Sequence, residues 1–317
     1  MFRSLALVAA LAALLFAAGC ATRFDLQGHR GARGLAPENT LPAFAKALEV
    51  GVTTLELDTE VTKDGVVVIG HDPLLNPDIV RKDGKWLSEK GPAIHALTYA
   101  ELQQYDVGRL KPDTAYAKRY PDQQSADGTR MPRLADLFDM VKKSGNADVR
   151  FNIEIKSSPL APNETLPPEP FAKVVIEEIR KAGMAGRATL QSFDWRSLQA
   201  AQRIAPDIQT VYLSAQQKFL DNIGADKPEG SPWVAGFQHR THGSVPRMVK
   251  AAGGKVWSPY FGDVDAVKLK EARELGLKVV VWTVNDEANI RRMLDLGVDG
   301  IISDRPDIVK RELAARR

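Results

Sequence analysis

Cysteine is almost absent from this chain of 317 residues, which contains only Cys20. One cysteine cannot form an internal disulfide, so the fold must be stabilised by a packed hydrophobic core. Clusters of zinc ligands are also lacking. His239 and His242 stand in a polar segment with no cysteine or third ligand nearby, and His95 lies in an apolar stretch, so none of these three histidines predicts a metal site.

A strong charge of either sign is lacking as well. The formal net charge is +3, and it falls to +2 without residues 1–19, whose one charged residue is Arg3. No block of basic residues interleaved with aromatics indicates nucleic-acid binding. Beyond the N-terminal region there is no second apolar run long enough to span a membrane.

The N-terminal residues have the pattern of a secretory signal. Arg3 precedes an apolar stretch, Leu5 to Ala18, that is short for a bilayer span and ends in small residues before Cys20. We therefore expect residues 1–19 to be a signal peptide and the protein to be exported to the periplasm. The position of Cys20 resembles a bacterial lipobox, which predicts a lipid anchor there, although Ala17 stands where leucine is usual. The alternative is simple cleavage beside an incidental cysteine.

From Phe24 onward, strand-like and helix-like segments alternate, and repeated βα units predict parallel strands with helical crossovers. The length suits one large α/β barrel or two smaller domains. Nine strand candidates, Val66–Ile69 and Arg150–Ile155 among them, compete for eight places in a (β/α)₈ barrel. One candidate must lie outside the ring, and the sequence leaves open which. Asn39 is the expected N-cap of the first helix.

Two segments interrupt the alternation. Residues 73–130 are rich in proline, charge and polar turns, which predicts an insertion that forms a small cap over the active face. Thr62-Lys63-Asp64-Gly65 is a turn signal before Val66–Ile69. Because a tight hairpin cannot join parallel strands, we expect Thr59–Thr62 to return the chain across the barrel mouth or edge.

Two histidines and two carboxylates provide the first candidate site. His29 and His71 each follow a short strand-like run, so each is expected where a strand gives way to a loop. Glu56 and Asp58 are separated by one residue on a strand, which places both carboxylates on one face. Neighbouring like charges favour a bound cation.

A third carboxylate comes from a distant strand. Alternation places Asn152, Glu154 and Lys156 on one face, so Lys156 lies beside Glu154 at the strand end, where an anion would fit. With Glu56 and Asp58, Glu154 completes an all-oxygen set that suits Ca²⁺ or Mg²⁺ better than Zn²⁺. Surface carboxylates paired with lysines are the alternative for any one of them. Three at strand ends favour the metal site.

The order of motifs resembles the glycerophosphodiester phosphodiesterase family over nearly all of the chain after residue 19, and residues 116–131 resemble the insertion of its bacterial periplasmic members. The motifs are His29-Arg30-Gly31, Pro37-Glu38-Asn39-Thr40, Glu56-Leu57-Asp58, His71-Asp72, Glu154-Ile155-Lys156, Gln191-Ser192-Phe193, Trp282-Thr283-Val284-Asn285 and Gly300-Ile301-Ile302-Ser303-Asp304-Arg305-Pro306. Each motif alone is weak, but eight in family order are a specific signal.

The resemblance implies a TIM-type barrel that hydrolyses glycerophosphodiesters to sn-glycerol 3-phosphate and an alcohol. In the family mechanism a glycerol hydroxyl attacks phosphorus and water then opens the cyclic phosphate, so one base and one acid are needed. His29 and His71 would exchange these roles, and the sequence leaves open which starts as the base.

Substrate contacts are expected from Arg30, Lys156 and Trp282. Arg30 and Lys156 would neutralise phosphate charge, together with a cation held by the three carboxylates. Arg30 could instead be a structural ion-pair partner of Glu38. Trp282 could be a core residue, although a wall against the glycerol carbons is favoured. Asn39, Asp72 and Gln191 are expected to orient these groups.

Three functions remain open at this stage. The first is the metal-dependent glycerophosphodiesterase. The second keeps the site but acts on a lipid, as a lysophospholipase D or a phosphatidylinositol phospholipase C would, and the polar cap segment argues against it. The third is a surface-anchored binding lipoprotein without catalysis, which the presence of both histidines and all three carboxylates argues against.

Overall fold

Eight parallel strands form a closed ring in the computed structural model, which describes residues 24–316. The ring closes because the first strand pairs with both the eighth and the second. In chain order the barrel strands are Asp25–Gly28, Thr54–Val61, Arg150–Ile155, Ala188–Ser192, Gln209–Ser214, Val256–Pro259, Lys278–Val281 and Gly300–Ser303. We refer to them below as the first to eighth barrel strands.

Helices follow every barrel strand and surround the ring, which confirms the predicted TIM-type (β/α)₈ barrel. They are Leu41–Val50, Leu134–Lys143, Pro168–Lys181, Trp195–Ile204, Val245–Ala251, Ala266–Glu274, Glu287–Leu296 and Pro306–Ala314, with short helices at Tyr99–Leu102 and His239–His242. Among residues 24–316, none of the helices is long and apolar enough to cross a bilayer. The predicted signal peptide and the Cys20 anchor lie outside the described residues, so both stay predictions.

The ninth strand candidate is the one outside the ring. Val67–Ile69 pairs antiparallel with the end of the second barrel strand, with Val61 opposite Val67 and Thr59 opposite Ile69. The prediction that Thr59–Thr62 return the chain across the mouth is therefore wrong. Thr59 to Val61 extend the strand, and the turn that follows, ending at Gly65 (φ +81°), folds the chain back as a hairpin, which antiparallel pairing permits.

The polar segment 73–130 contains only short elements. Three two-residue strands, Arg81–Lys82, Lys85–Trp86 and Tyr105–Asp106, form a small antiparallel sheet. Apolar residues of this segment pack with Val68 and Met131 into a cluster separate from the barrel core. The identification of this segment as an insertion that caps the active face stays a prediction.

Strand alternation divides the barrel residues into an outer apolar set and an inner set. Leu55, Leu57, Phe151 and Ile153 point outward into the buried core between strands and helices. Inward-facing polar side chains hydrogen-bond across the lumen in the order Gln27, Asn152, Gln191 and Glu56, over distances of 2.6 to 2.9 Å. This polar chain leads from the base of the barrel to the carboxyl ends of the strands.

The first helix begins one residue later than expected. Its N-cap is Thr40, whose hydroxyl accepts from the N–H of Ala43, so the prediction of Asn39 as the cap is wrong. Asn39 has a left-handed backbone (φ +56°), which asparagine tolerates better than most residues. The turn frees its side-chain amide to reach the second barrel strand, where it donates to Asp58.

Gly28, at the end of the first barrel strand, has no room for a side chain. A Cβ there would lie 2.0 Å from the carbonyl oxygen of Gly31, which is backbone and cannot rotate away, whereas a Cβ at Gly186 would meet nothing within 4 Å. We expect Gly28→Ala to lower the free energy of unfolding by about 2 kcal/mol or more, and Gly186→Ala to change it by at most about 0.5 kcal/mol. Urea unfolding measures both. Equal stability of the two variants would contradict the lack of room for a side chain at Gly28.

Candidate active site

Three carboxylates meet at the mouth of the barrel. Glu56 and Asp58 come from the second strand and Glu154 from the third, and the register places Asp58 directly opposite Glu154. All three side chains are buried, and one oxygen from each lies within 4.8 Å of the others. Carboxylate oxygens this close are the donor set of a hard divalent cation, so the arrangement could hold a metal.

Each carboxylate is oriented by a neutral or cationic donor. Glu56 accepts from the backbone N–H of Arg30 at 2.8 Å and from the amide of Gln191 at 2.6 Å. Asn39 donates to Asp58 at 2.8 Å. Lys156 donates to Glu154 at 3.0 Å and its Nζ lies 3.7 Å from Asp58. The expectation that Asn39 and Gln191 orient the cluster agrees with these contacts.

The carboxylate cluster is short of positive charge. Burial raises the pKa of Glu154 to about 7 and that of Glu56 well above its usual range, and repulsion by Asp58 adds to both shifts. Burial acts the same way on Asp58, but Arg30, His71 and Lys156 outweigh it and hold its pKa low. A divalent cation would supply the missing charge, which is why the donor set fits one.

Glu60 continues the same inward-facing series beyond Asp58. It is 1% exposed, and neither of its carboxyl oxygens has a hydrogen-bond partner among the described residues. Burial raises the pKa of Glu60 well above its usual range, so its neutral form is favoured. Glu60 therefore adds little charge to the neighbouring cluster.

His29 directly follows the first strand, and Asp304 directly follows the eighth. Because these strands are neighbours in the ring, Nδ1 of His29 lies 2.6 Å from Oδ1 of Asp304. Asp304 is held in turn by Arg33 at 2.8 Å and by the amide of Asn285 at 2.7 Å. A carboxylate at Nδ1 favours the tautomer with the proton there, which leaves Nε2 as the acceptor, 4.0 Å from Glu56.

His71 has a matching arrangement and lines the same cleft as Glu56 and Glu154. Its Nδ1 lies 2.7 Å from Oδ1 of Asp72, and Asp72 accepts from the amide of Asn76 at 2.7 Å. Burial lowers the pKa of His29 to about 4, and burial together with Arg30 and Lys156 lowers that of His71. Both rings are therefore held largely neutral at pH 7.

Arg30 makes the ion pair with Glu38 that was the alternative to a contact with substrate, and it also lies beside Asp58. Its guanidinium donates to Glu38 at 2.6 Å, and its Nε lies 3.2 Å from Asp58. The hydroxyl of Tyr116, from segment 73–130, donates to Glu38 and accepts from Arg33 at 3.1 Å. Arg30 is thus fixed by structural pairing and still lines the cleft beside the carboxylates.

A cleft of about 690 Å³ lies over these groups. Both histidines, Arg30 and Lys156 line it on one side, and Trp282 lines it on another. Trp282 is half-buried and its indole N–H donates to the backbone of Ser258. The structure therefore brings together every predicted catalytic, metal-binding and substrate-binding residue that lies within the described range.

The remaining histidines lie elsewhere. Nδ1 of His95 lies 3.3 Å from the backbone oxygen of Val61, and His239 and His242 belong to one short helix. Within residues 24–316, Glu56, Asp58 and Glu154 form the one cluster of potential metal ligands.

Sequence reasoning missed the roles of Arg33, Asp304 and Tyr116. Asp304 stands directly after a strand, as His29 does, and that shared position was the available signal. Arg33 and Tyr116 carried no such signal, because their contacts depend on how two loops pack.

Comparison with known protein families identifies the family of this chain. The model of the glycerophosphoryl diester phosphodiesterase family matches residues 29–308, a range that includes all eight of the predicted catalytic, metal-binding and substrate-binding residues. The chain belongs to this family.

Relatives agree with the assignment. A crystal structure from Silicibacter pomeroyi, of a protein named for the same family, is 37% identical with a TM-score of 0.82 and covers 92% of this chain and 93% of its own. A glycerophosphodiester phosphodiesterase from Caldanaerobacter subterraneus is 26% identical over 88% of this chain and 93% of its own length. A phosphodiesterase from Oleispira antarctica, solved with the product sn-glycerol-3-phosphate, is 21% identical with a TM-score of 0.65 and covers 91% and 96%, respectively.

The predicted resemblance to glycerophosphodiester phosphodiesterases is confirmed, and with it the expectation of a phosphoric diester hydrolase. The family match also spans the second to eighth barrel strands and every residue that lines the cleft. The family assignment does not give the role of each residue. Those roles have to be argued from the geometry of the site.

Asp304 should be a positioning residue for His29. Asp304→Asn puts an amide next to Nδ1, which can donate to that nitrogen and favours the tautomer with the proton on Nε2. We expect kcat for a glycerophosphodiester to fall by about 10²- to 10⁴-fold with little change in melting temperature. Asp307→Asn, which alters a nearby ion pair with Arg305 at the helix start, is the matched control. An equal loss of activity in both variants would contradict a positioning role for Asp304.

Proposed function

We propose that this protein hydrolyses glycerophosphodiesters, such as glycerophosphocholine and glycerophosphoethanolamine, to sn-glycerol 3-phosphate and an alcohol, with a divalent cation and two histidines. The observation that carries the proposal is the pair of histidines that line one cleft together with a buried carboxylate cluster, each with its Nδ1 held by an aspartate. The product bound to the Oleispira relative supports the same reaction.

Glu56, Asp58 and Glu154 would hold the cation, Ca²⁺ or Mg²⁺. When bound, it supplies positive charge beside the phosphate oxygens in the transition state. All three ligands are oxygens and none is a thiolate, which favours these hard cations over Zn²⁺.

Arg30 and Lys156 complete the anion site. Both cations line the cleft, and both are already anchored to carboxylates of the cluster, so little side-chain freedom is lost when a phosphate binds. Their combined charge makes that end of the cleft complementary to a phosphodiester. Trp282 would form the apolar wall against the glycerol carbons.

The two histidines would move the protons. In the first step, the Nε2 of one histidine takes the proton of the attacking glycerol hydroxyl while the other histidine, protonated beforehand, gives its proton to the departing alcohol. The bound anionic phosphate would favour that protonated ring, which the protein alone disfavours. In the second step, the roles reverse as water opens the cyclic phosphate. Asp304 and Asp72 stabilise whichever imidazolium forms, because each carboxylate faces Nδ1.

Two predictions about the whole protein belong to the same proposal. We infer export to the periplasm and a lipid anchor at Cys20, supported by the N-terminal sequence pattern. We also infer that segment 73–130 covers the active face, supported by Tyr116 and Tyr120, which line the cleft and contact Arg33.

The histidine roles predict the effect of removing either ring. His29→Ala and His71→Ala should each lower kcat for glycerophosphocholine by about 10²- to 10⁴-fold. Glycerol 3-phosphate release measures the loss, and circular dichroism reports whether the fold persists. His239→Ala, in the short helix outside the cleft, should keep normal turnover. Near-normal activity of either active-site variant would contradict the two-histidine mechanism.

The metal site predicts a stability effect that does not depend on turnover. A ligand that binds only the folded chain stabilises it by about 2.7 kcal/mol at a hundred times its Kd. We therefore expect Ca²⁺ or Mg²⁺ to raise the melting temperature of the wild-type protein, and Glu154→Gln to reduce that rise because it removes one anionic ligand.

The matched control is Glu169→Gln, which changes an exposed carboxylate paired with Arg203. Its melting temperature should respond to the cation as that of the wild-type protein does. An undiminished response in Glu154→Gln would exclude Glu154 as a ligand.

A further inference from the structure

The mouth of the barrel has two chemically different halves. The residues directly after the eighth, first and third strands are Asp304, His29 and Lys156. The residues directly after the fourth, sixth and seventh strands are Phe193, Tyr260 and Trp282. Equivalent positions in the ring therefore carry charge on the catalytic side and aromatic rings on the opposite side.

Four rings form a continuous surface that we call the aromatic wall: Phe193, Trp282, Tyr260 and Phe219. Consecutive rings meet edge to face, with centroids 5.2, 5.6 and 5.3 Å apart and planes inclined at 87°, 66° and 76°. All four line the cleft. Trp282 lies nearest the glycerol in the proposed function, and the other three extend the wall away from it.

Phe219 is unusual in being a large apolar residue left 66% exposed at the rim of a charged cleft. It lies in the turn between two short strands, Gln216–Gln217 and Leu220–Asp221. Asp263 fixes that hairpin by accepting from the backbone of Gln216 and the side chain of Gln217. The exposed ring is therefore held in place before any ligand arrives, which is what a recognition surface needs.

A carboxylate accompanies the rings. Glu164 lies in the loop after the third strand, next in the ring to Phe193, and it lines the same cleft. Its side chain is half-buried and makes no ion pair or side-chain hydrogen bond with any residue from 24 to 316. The cleft lining thus combines aromatic faces with a carboxylate that has no side-chain partner among the described residues.

We propose that the aromatic wall and Glu164 form a subsite for the leaving alcohol, and that the subsite prefers a quaternary ammonium group. This inference rests on the proposed function and names the head group that the same site favours. Aromatic faces attract cations, and recognition of quaternary ammonium is their characteristic use. A trimethylammonium group has no N–H, so it loses no hydrogen bonds against the rings. A primary ammonium group has three donors, which the rings cannot satisfy and of which Glu164 would pair with one or two.

The test compares kcat/KM for glycerophosphocholine, glycerophosphoethanolamine and glycerophosphoglycerol. The wild-type protein should favour the choline diester, and Phe219→Ala should lower kcat/KM for that substrate by about three- to ten-fold while changing the other two by less than about two-fold. Glu164→Gln removes a negative charge that attracts either ammonium group, so it should lower kcat/KM for the choline and ethanolamine diesters and change that for the glycerol diester by less than about two-fold. Phe219→Tyr keeps a ring and should retain the preference. Leu160→Ala removes another exposed apolar side chain outside the cleft lining and is the control.

Tetramethylammonium provides an arm that needs no turnover. It should bind the wild-type protein in calorimetry, and Phe219→Ala should weaken that binding by about three-fold or more. If no diester is cleaved but tetramethylammonium binds the wild-type protein and binds Phe219→Ala more weakly, the proposed function fails and the subsite stands. If all three diesters are cleaved with equal kcat/KM in every variant, the subsite inference is overturned and the phosphodiesterase stands.

Discussion

The burial of three carboxylates at one end of the barrel is the constraint on which the rest of the site depends. Charges this close repel one another and lose their hydration, and that cost is met only if cations and hydrogen-bond donors surround them. Arg30, Lys156, Asn39 and Gln191 supply part of this compensation. The raised pKa of Glu56 and Glu154 shows that the compensation from protein groups is incomplete. A site that can bind a divalent cation, and behind it an anionic phosphodiester, is the consequence.

The parallel barrel makes this arrangement possible without long loops to bring the residues together. Because all eight strands point the same way, their carboxyl ends share one face, and groups distant in sequence become neighbours there. His29 and Asp304 are 275 residues apart and yet touch, because the first and eighth strands pair. Below the site, the chain of amides through Gln27, Asn152 and Gln191 reaches Glu56 and fixes its orientation from inside the lumen. The geometry of the carboxylate cluster therefore rests on two barrel strands and on the amides inside the lumen.

Several features of the fold and the site could be predicted from sequence because they depend on local periodicity. Alternation along single strands was enough to place Glu56 beside Asp58 and Glu154 beside Lys156. The direction of Val67–Ile69 could not be read, because a three-residue apolar strand has the same pattern whether it pairs parallel or antiparallel. The N-cap was misplaced because Asn39 and Thr40 both cap helices well, and a contact with Asp58 decides between them. The contacts of Asp304 and Arg33 and the aromatic wall could not be predicted, because they depend on which loops meet at the mouth. That is set by the closed ring and cannot be seen in any single segment of sequence.

The central claim is that one cation, held by three carboxylates, lies between the two histidines and beside the phosphate. A crystal structure of the protein with Ca²⁺ or Mg²⁺ and sn-glycerol 3-phosphate tests it most directly. Our account predicts a single cation contacted by oxygens of Glu56, Asp58 and Glu154, with the phosphate against Arg30 and Lys156 and within reach of both histidine Nε2 atoms. A cation bound at other residues, or a phosphate bound away from the histidines, would contradict the account.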